Sequence, residues 1–276
     1  MPLRLSPTFR DRLAERAGNP AGARPLIGMW ACTGSALVTE IAAGSGLDWL
    51  LIDGEHSTNT LDTLQVQLQV AAAYPITPLV RVPWNDPVII KQVLDLGAQN
   101  LIVPMVSSAE EARAAVAATR YPPEGVRGVG SALARSARWN RVDGYLRDAA
   151  QHVSLTVQIE TAAGVAAAAE IAAVDGVDAV FVGPSDLAAS MGLLGQQTHP
   201  DVVAAVERVF AEATAAGTPV GVNAFDPATA DAYIAAGAAF VAVGADVALL
   251  ARASEALAAR FLPPSAPAPS SPSTSY

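Results

Sequence analysis

The sequence predicts a single-domain (β/α)8 barrel, the α/β fold known as a TIM barrel. Eight short apolar segments recur along the 276 residues, and most are continuously apolar, as expected for parallel strands covered on both faces. An Ala-rich segment with helical patterning follows each of them. Eight such repeats, without a dinucleotide fingerprint, favour the barrel over a doubly wound sheet, which is the second interpretation of this alternation.

The predicted strands cover residues 25–31, 49–55, 77–83, 100–106, 154–160, 179–185, 218–224 and 240–246. The predicted helices between them include 60–73, 87–96, 108–119, 162–172, 201–216 and 227–236. Asp86 and Asp226 each precede a proline, which predicts an N-cap followed by the first helical position. The run 107–110, Ser-Ser-Ala-Glu, resembles a capping box. Three glycines predict helix ends, namely Gly97, Gly217 and Gly237.

Three segments lie outside this repeat. Residues 1–24 are expected to form an N-terminal helical segment before the barrel domain, which spans residues 25–261. Residues 120–150 form an Arg-rich insertion after the fourth unit, for which solvated charges or a subunit interface are preferred over anion binding. Residues 262–276 consist mainly of Pro, Ser and Ala and are expected to be disordered.

Composition restricts the class of protein. The net charge of -9 argues against a nucleic-acid partner, because phosphate binding needs a basic surface. No apolar run approaches the ~20 residues that span a bilayer, so no membrane partner is expected. The N-terminus lacks the apolar region of a secretory signal. Cys32 is the single cysteine, which suits a reducing compartment and predicts a cytoplasmic protein.

Polar side chains gather where the predicted strands end, and in a barrel the active site forms at the C-terminal ends of the strands. The residues found there are Asp53, Glu55, His56, Arg81, Gln158, Glu160, Gly183, Pro184, Ser185 and Asp186. Glu160 and Asp186 follow neighbouring strands. Two carboxylates that leave the other coordination positions open to water or substrate oxygens suit a hard divalent cation such as Mg²⁺ or Mn²⁺.

Each of these residues also has a purely structural interpretation. Glu160 can be a carboxylate in the first turn of a helix, and Asp186 can be an N-cap. Arg81 can belong to a structural ion pair, and His56 can be a loop histidine. The set is more specific than its members, because all of them fall at one end of the barrel. The residues expected to be structural are His152, His199 and Cys32.

The lysine count excludes one mechanism. Schiff-base aldolases need a desolvated lysine inside the barrel. Lys91 is the only lysine, and it falls within the helix after the third strand. Carbonyl chemistry would therefore need a metal as electrophile. The glycine-containing run 128–131 follows no strand and lacks a third glycine, so no nucleotide cofactor is expected.

The order of these motifs resembles that in a known family. The sequence contains, in this order, Asp53-Gly-Glu-His56, Arg81, Gln158-Ile-Glu160 and Gly183-Pro-Ser-Asp186. It is similar to the class II, metal-dependent pyruvate aldolases, which cleave 4-hydroxy-2-oxoheptanedioate and related hydroxy-keto acids in aromatic catabolism. Their relatives include 2-dehydro-3-deoxyglucarate aldolase. The similarity runs from about Leu26 to Phe261, and the stretch 121–141 is closest to the heptanedioate branch.

The resemblance implies a role for each matching residue. The implied metal ligands are Glu160 and Asp186, the implied catalytic residues are His56, Asp53 and Arg81, and the implied substrate-binding residues are Gln158, Gly183, Pro184, Ser185 and Arg81. It also implies a divalent cation (Mg²⁺, Mn²⁺ or Co²⁺), pyruvate and an aldehyde as products, and a hexamer in which helices exchange between subunits and neighbours help to close the site.

Several alternatives stay open at this point. Either Asp53 or a neighbour can orient the His56 ring, and a metal-bound water can serve as the base instead of His56. Ser185 stands where some family members have alanine, and segment 222–225 differs in form, so the preferred aldehyde is not determined. The alternative activities are a sugar-acid aldolase and a citryl- or malyl-type lyase on the same barrel.

Overall fold

A computed structural model describes residues 3–18 and 24–262 of the chain. Eight parallel strands close into a barrel in chain order, which confirms the predicted fold. The strands are β1 Leu26–Ala31, β2 Trp49–Asp53, β3 Thr77–Arg81, β4 Asn100–Val103, β5 Ser154–Ile159, β6 Ala179–Val182, β7 Val220–Asn223 and β8 Phe240–Ala245. Several are shorter than predicted, because their last predicted residues belong to the loops that carry the polar motifs. The C-terminal tail predicted to be disordered is 262–276, and all of it except Leu262 lies outside the described residues.

Twelve α-helices occur in the described residues, in chain order. They are α1 Phe9–Ala17, α2 Ala36–Ala43, α3 Leu61–Ala71, α4 Pro87–Asp95, α5 Ala109–Thr119, α6 Tyr145–Asp148, α7 Ala162–Ala166, α8 Ala168–Ala172, α9 Pro184–Ser190, α10 Pro200–Ala215, α11 Pro227–Ala235 and α12 Asp246–Phe261. The single helix predicted over 162–172 is divided at Ala167 into α7 and α8. None of the described helices is both long and apolar enough to cross a membrane.

The predicted helix caps are present, with one shift of register. Asp86 accepts hydrogen bonds from the main-chain N–H of Val88 at 2.8 Å, and Asp226 caps α11 in the same way. The capping residue of α5 is Ser108, one residue later than predicted, because its Oγ accepts the N–H of Glu111 at 3.1 Å. The Glu111 carboxylate in turn accepts the main-chain N–H of Ser107, so both serines take part in capping the helix.

Aromatic side chains fill the barrel interior. Trp49, Phe181 and Phe240 point inward from their strands, and Trp49 lies edge-on to both phenylalanine rings at 6.4 and 5.8 Å between centroids. Glycine makes room for this layer on β1, which lies beside the Trp49 strand, and on β7, which lies beside the Phe240 strand. A Cβ at Gly28 would lie 2.2 Å from the Trp49 ring, and one at Gly221 would lie 2.4 Å from the Phe240 ring.

Helix α1, which falls in the predicted N-terminal helical segment, closes the end of the barrel where the strands begin. Its residue Phe9 is fully buried and packs edge-on against Phe240 at 5.1 Å between ring centroids. The main-chain N–H of Phe9 donates to Asn100 Oδ1 at 2.7 Å. Because α1 covers this end of the barrel interior, the interior is open only at the other end, where the strands finish.

The insertion between α5 and β5 packs onto the barrel helices. Arg127 is almost fully buried, with its Nη2 at 3.1 Å from Asp95 Oδ1 and its guanidinium stacked 4.7 Å from the centre of the Tyr121 ring. The expectation of solvated charges is therefore wrong for Arg127, which joins the insertion to α4. Burial of a paired guanidinium makes this contact specific in geometry.

Candidate active site

Arg81 is the centre of the polar cluster at the open end of the barrel. Parallel register places Asp53 beside Arg81, and the Arg81 Nε donates to Asp53 Oδ1 at 2.8 Å. Nη1 of Arg81 forms an ion pair with Glu55 Oε2, also at 2.8 Å. The guanidinium lies 4.3 Å from the centre of the Trp30 ring, and Arg81 is only 5% exposed. Arg81 is thus part of a structural ion pair, as one interpretation of the sequence allowed. The pair and the Trp30 ring hold the positively charged guanidinium rigidly at the base of the cleft.

The turn after β2 is built around the Asp53 carboxylate. That carboxylate accepts the main-chain N–H of Glu55 at 3.0 Å and that of His56 at 3.2 Å. A Cβ at Gly54 would lie 2.6 Å from the Arg81 carbonyl oxygen, so the turn requires glycine where it approaches β3. Asp53 therefore positions the loop and Arg81 at once.

The His56 ring lies at the rim of the cleft. Its side chain is 66% exposed, and its Nε2 lies 3.7 Å from Glu55 Oε1. The Asp53 carboxylate is engaged by Arg81 and the main chain, so Glu55 is the neighbouring carboxylate that faces the ring. Burial raises the pKa of Glu55, and the nearby charges of Arg81 and His56 oppose that rise. Of the two ways to orient the ring that the sequence left open, the geometry favours Glu55.

Glu160 is buried on the opposite wall, immediately after β5, and is 2% exposed. Its Oε1 accepts the main-chain N–H of Met105 at 2.8 Å, and its Oε2 accepts the side-chain amide of Gln158. Burial raises the pKa of Glu160 to about 7, and the charges of Asp186 and Glu55 add to the rise against the two hydrogen bonds. The next helix begins at Ala162 with Thr161 as its N-cap, so Glu160 precedes it and the interpretation as a first-turn residue is wrong.

The loop after β6 approaches Glu160 closely. Ile159 pairs with Val182, so the next residue on each strand, Glu160 and Gly183, are neighbours. A Cβ at Gly183 would lie 2.6 Å from Glu160 Oε2, which makes glycine necessary for this approach. Gly183 is the N-cap of α9, and Asp186 lies exposed in the first turn, so the interpretation of Asp186 as an N-cap is wrong. Pro184 occupies the first helical position, as its fixed φ favours.

The donor set at this end fits a divalent cation. The charge of Asp186 contributes to the raised pKa of both Glu55 and Glu160, while the charges of Arg81 and His56 act against the rise at Glu55. Within residues 3–18 and 24–262, no group forms a hydrogen bond with the buried Gln158 Oε1. No cluster of three or more metal-binding side chains occurs among the described residues. A metal would thus be held by the two carboxylates of Glu160 and Asp186, with water or substrate oxygens as the remaining ligands.

Some residues of the site were not identified from the sequence. Trp30 supports the Arg81 guanidinium and donates from its Nε1 to Asn223 Oδ1 at 2.8 Å, which links β1 to β7. Met105 has a positive φ of 58° and so turns its N–H toward Glu160. A polar residue at the end of an apolar strand, Asn223, could have indicated this part of the site from the sequence. Met105 had no such signal, because its contribution is a main-chain group.

The remaining titratable residues have mostly structural roles. His199 caps α10 by accepting the N–H of Asp201 at 3.2 Å, and His152 stacks on Tyr145. Cys32 is half-buried at the mouth of the barrel, where burial raises the pKa of its thiol to about 12. A thiol with this pKa stays protonated at neutral pH and is a poor nucleophile.

Known proteins similar to this chain are aldolases and proteins of related fold. A 4-hydroxy-2-oxo-heptane-1,7-dioate aldolase from Salmonella arizonae is 55% identical over 253 residues, which cover 92% of this chain and 94% of that relative. The crystal structure of an HpcH/HpaI aldolase/citrate lyase family protein from Burkholderia cenocepacia matches with a TM-score of 0.83 at 41% identity, covering 88% of this chain and 97% of that one. A Mycobacterium tuberculosis citrate lyase beta subunit, complexed with oxaloacetate and magnesium, matches with a TM-score of 0.54 at 16% identity, covering 80% of this chain and 92% of that one. This last likeness concerns the fold alone.

Fold and relatives together define a carbon–carbon lyase built on a (β/α)8 barrel. The sequence pattern of the HpcH/HpaI aldolase/citrate lyase family matches residues 26–253. The chain belongs to that family, and the resemblance inferred from its motifs is confirmed.

Proposed function

We propose that this chain catalyses the reversible aldol cleavage of 4-hydroxy-2-oxo acids to pyruvate and an aldehyde. The proposed substrate is 4-hydroxy-2-oxoheptanedioate, with succinate semialdehyde as the aldehyde, in the catabolism of aromatic compounds. The observation that carries the proposal is the buried Arg81 cation, held by Asp53 and Glu55 opposite the Glu160 carboxylate. The name of the 55% identical relative supports the choice of substrate.

The proposed cofactor is a divalent cation, Mg²⁺, Mn²⁺ or Co²⁺, held by Glu160 and Asp186. When bound, it supplies Lewis-acid stabilisation of the negative charge that develops on the 2-keto oxygen. No nucleotide and no Schiff-base lysine take part in this proposal. The Gln158 amide and the Met105 N–H hold the Glu160 carboxylate in one orientation before a ligand arrives.

Arg81 has the role of a fixed positive charge. Cleavage of the C3–C4 bond leaves an enolate of pyruvate, and its developing negative charge is the costly feature of the reaction. Because Arg81 is already held on three sides by Asp53, Glu55 and Trp30, its reorganisation during the reaction is small. The loop Gly183-Pro184-Ser185, with the free N–H groups of the first turn of α9, has the role of binding the substrate carboxylate together with Gln158.

His56 has the role of general base. Its exposed ring stands at the rim, where the C4 hydroxyl of a bound keto acid would meet solvent, and Glu55 at 3.7 Å can stabilise the imidazolium that forms. Asp53 acts through the loop, because its carboxylate holds the main-chain N–H of His56. In the reverse direction, the protonated ring donates its proton to the C4 alkoxide oxygen that forms when the C3–C4 bond is made.

The test is pyruvate release from 4-hydroxy-2-oxoheptanedioate by the full chain. Release should appear with Mg²⁺, Mn²⁺ or Co²⁺ and disappear after chelation, and Asp186→Asn should remove most of it. The exposed Asp231 on α11 provides the control variant Asp231→Asn, which should keep the activity. No release with any of the three metals would reject this substrate and direct the assay to 2-dehydro-3-deoxyglucarate.

A citryl-type lyase is the second candidate, because the family description includes citrate lyase. It predicts carbon–carbon cleavage of a citryl substrate rather than of a hydroxy-keto acid. The same preparation, assayed with both substrate types, separates the two activities.

We further propose that the active form is a cytoplasmic homo-oligomer, a hexamer with exchanged helices. Helix α12 supports this proposal, because Asp246 is its only buried residue while Leu249, Leu250, Leu257 and Phe261 are exposed. The apolar Leu37 and Ile41 on α2 are also exposed. Light scattering after size exclusion tests the assembly, and a monomeric mass at full activity would reject it. The free thiol of Cys32 supports a reducing compartment.

A further inference from the structure

A polar cavity lies at the end of the barrel opposite the candidate active site. It has a volume of about 250 Å³ and lies between α1, the beginnings of β3 and β4, and the Arg-rich insertion. Its polar lining includes Arg12, Gln99, Asn100, Arg135 and Arg138 and contains no Asp or Glu. In a chain with net charge -9, the Arg135 and Arg138 side chains beside a cavity whose lining holds no carboxylate are a local excess of positive charge.

Two of these arginines converge on Gly97. A Cβ at Gly97 would lie 2.6 Å from Arg135 Nη1 and 3.1 Å from Arg138 Nη1. Their hydrogen bonds use only part of their donors, since Arg135 Nη1 donates to the Leu96 carbonyl at 3.1 Å and Arg138 Nη1 to the carbonyl of Arg135 at 2.5 Å. Each guanidinium carries five N–H donors in all.

Neither guanidinium has a counter-charge within the described part of the chain. No carboxylate lies within ion-pair distance of Arg135 or Arg138 there, and the residues outside it contain no Asp or Glu. Arg12, by contrast, is paired with Glu15 at 3.0 Å. Burial, together with the neighbouring charge of Arg138, lowers the pKa of Arg135 to about 10, and burial also lowers the pKa of Arg138. A half-buried pair of like charges gains when an anion joins it.

The backbone that carries Arg138 is strained. Arg138, Trp139 and Asn140 have positive φ values of 49°, 56° and 60°, a left-handed turn made by three successive residues other than glycine. Such a conformation is costly and persists only where the surroundings enforce it. Here it ends the short 3₁₀ helix Arg135–Ala137 and folds the Arg138 side chain back over the Arg135 carbonyl.

We propose that Arg135 and Arg138 form a binding site for a small polyvalent oxyanion, a phosphate or carboxylate group of a free metabolite. Guanidinium groups bind such anions through paired N–H donors, and two of them around one cavity favour a doubly charged ligand. The cavity volume limits the ligand to a small one. The site is separate from the proposed aldolase site and does not depend on it.

The test is to titrate the metal-free full chain with inorganic phosphate and, separately, with succinate. Calorimetry measures the binding, and the shift in thermal unfolding provides a second measurement. At least one of the two should bind saturably to the wild type. Arg138→Gln should weaken that binding about tenfold or more, because it removes a charge-assisted pair of hydrogen bonds. Arg147→Gln, an exposed arginine of the same insertion, should leave it unchanged. The comparison of phosphate with succinate identifies which oxyanion the site prefers.

Two further variants make the test decisive. Arg81→Gln should retain the binding, and loss of binding in that variant would place the anion in the candidate active site and overturn the proposal. Arg138→Lys keeps a charge without the planar fork and should restore part of the affinity. No saturable binding, or equal binding by Arg138→Gln, would also overturn it. So would a change in the oligomeric mass of Arg138→Gln, because the arginines would then meet a carboxylate of a second copy.

Discussion

The two ends of the barrel are built from the same eight strands but are filled by opposite kinds of side chain. At the end where the strands begin, Phe9 from α1 and the aromatic layer exclude water. At the other end, Arg81 and Glu160 are buried with their charges aimed into a cleft. Burial of apolar rings stabilises the fold, whereas burial of charge costs stability and raises the pKa of Glu160. The apolar packing that stabilises the fold and the buried charges of the candidate active site are therefore located at opposite ends of the barrel.

The largest expected effect concerns the open end alone. Glu160→Ala should lower metal-dependent aldol cleavage by about 10³-fold or more, because it removes one of two proposed metal ligands. The free energy of unfolding should stay the same or rise, since a buried carboxylate with a raised pKa is removed. Pyruvate release and urea denaturation measure the two quantities. The exposed Glu170 on α8 gives the control Glu170→Ala. Full activity of the wild type after exhaustive chelation would contradict the metal assignment.

The second effect concerns the closed end. Phe9→Ala should lower the free energy of unfolding by about 3–5 kcal/mol, because it leaves a cavity beneath Trp49 and Phe240. The turnover of the folded enzyme should change little. Thermal and urea unfolding measure the loss, with Val66→Ala on the exposed face of α3 as control. A large loss of turnover in folded Phe9→Ala would show that the two ends are coupled.

The third prediction tests the proposed role of His56 as general base at the rim of the cleft. His56→Ala should reduce kcat by about 10²-fold, as is usual for loss of a general base, with a smaller loss of pyruvate affinity. His199→Asn keeps an N-cap on α10 and should behave as the wild type. Equal activity of His56→Ala and wild type at pH 8 would reject His56 as the base.

The smallest effect tests an ion pair at the closed end. Burial raises the pKa of Asp48, but hydrogen bonds from Arg24 and the Ile27 N–H, with the charge of Arg24, lower it below the ordinary value overall. A lowered pKa in the folded state means stabilisation that is present at neutral pH and is lost as the pH falls through the acid range. Asp48→Asn should therefore cost about 1 kcal/mol or less at pH 7, because the pair is exposed to solvent. Urea titrations at pH 7 and pH 3 measure this, and an equal cost at both pH values would contradict it.

Local sequence patterns predicted most of the elements, for reasons that can be named. The strand after Trp49 is continuously apolar because both of its faces are covered, and Asp86 and Asp226 mark helix starts by capping chemistry that needs only three or four residues. The capping box at Ser108 was placed one residue early because two serines in a row offer two registers. The break at Ala167 between α7 and α8 has no local signal of this kind.

Periodicity, helix caps and motif order are local properties of the chain, so the sequence alone predicted the barrel and the polar motifs at its open end, but not the contributions of Trp30 and Met105. Which of those residues are in contact depends on the three-dimensional fold. Arg81 meets Asp53 across 28 positions of sequence, Glu160 meets the Met105 N–H across 55, and Phe9 meets Asn100 across 91. Such contacts depend on strand register and barrel closure. For the same reason, the ion pair between Arg81 and Glu55 forms only because β3 lies beside β2.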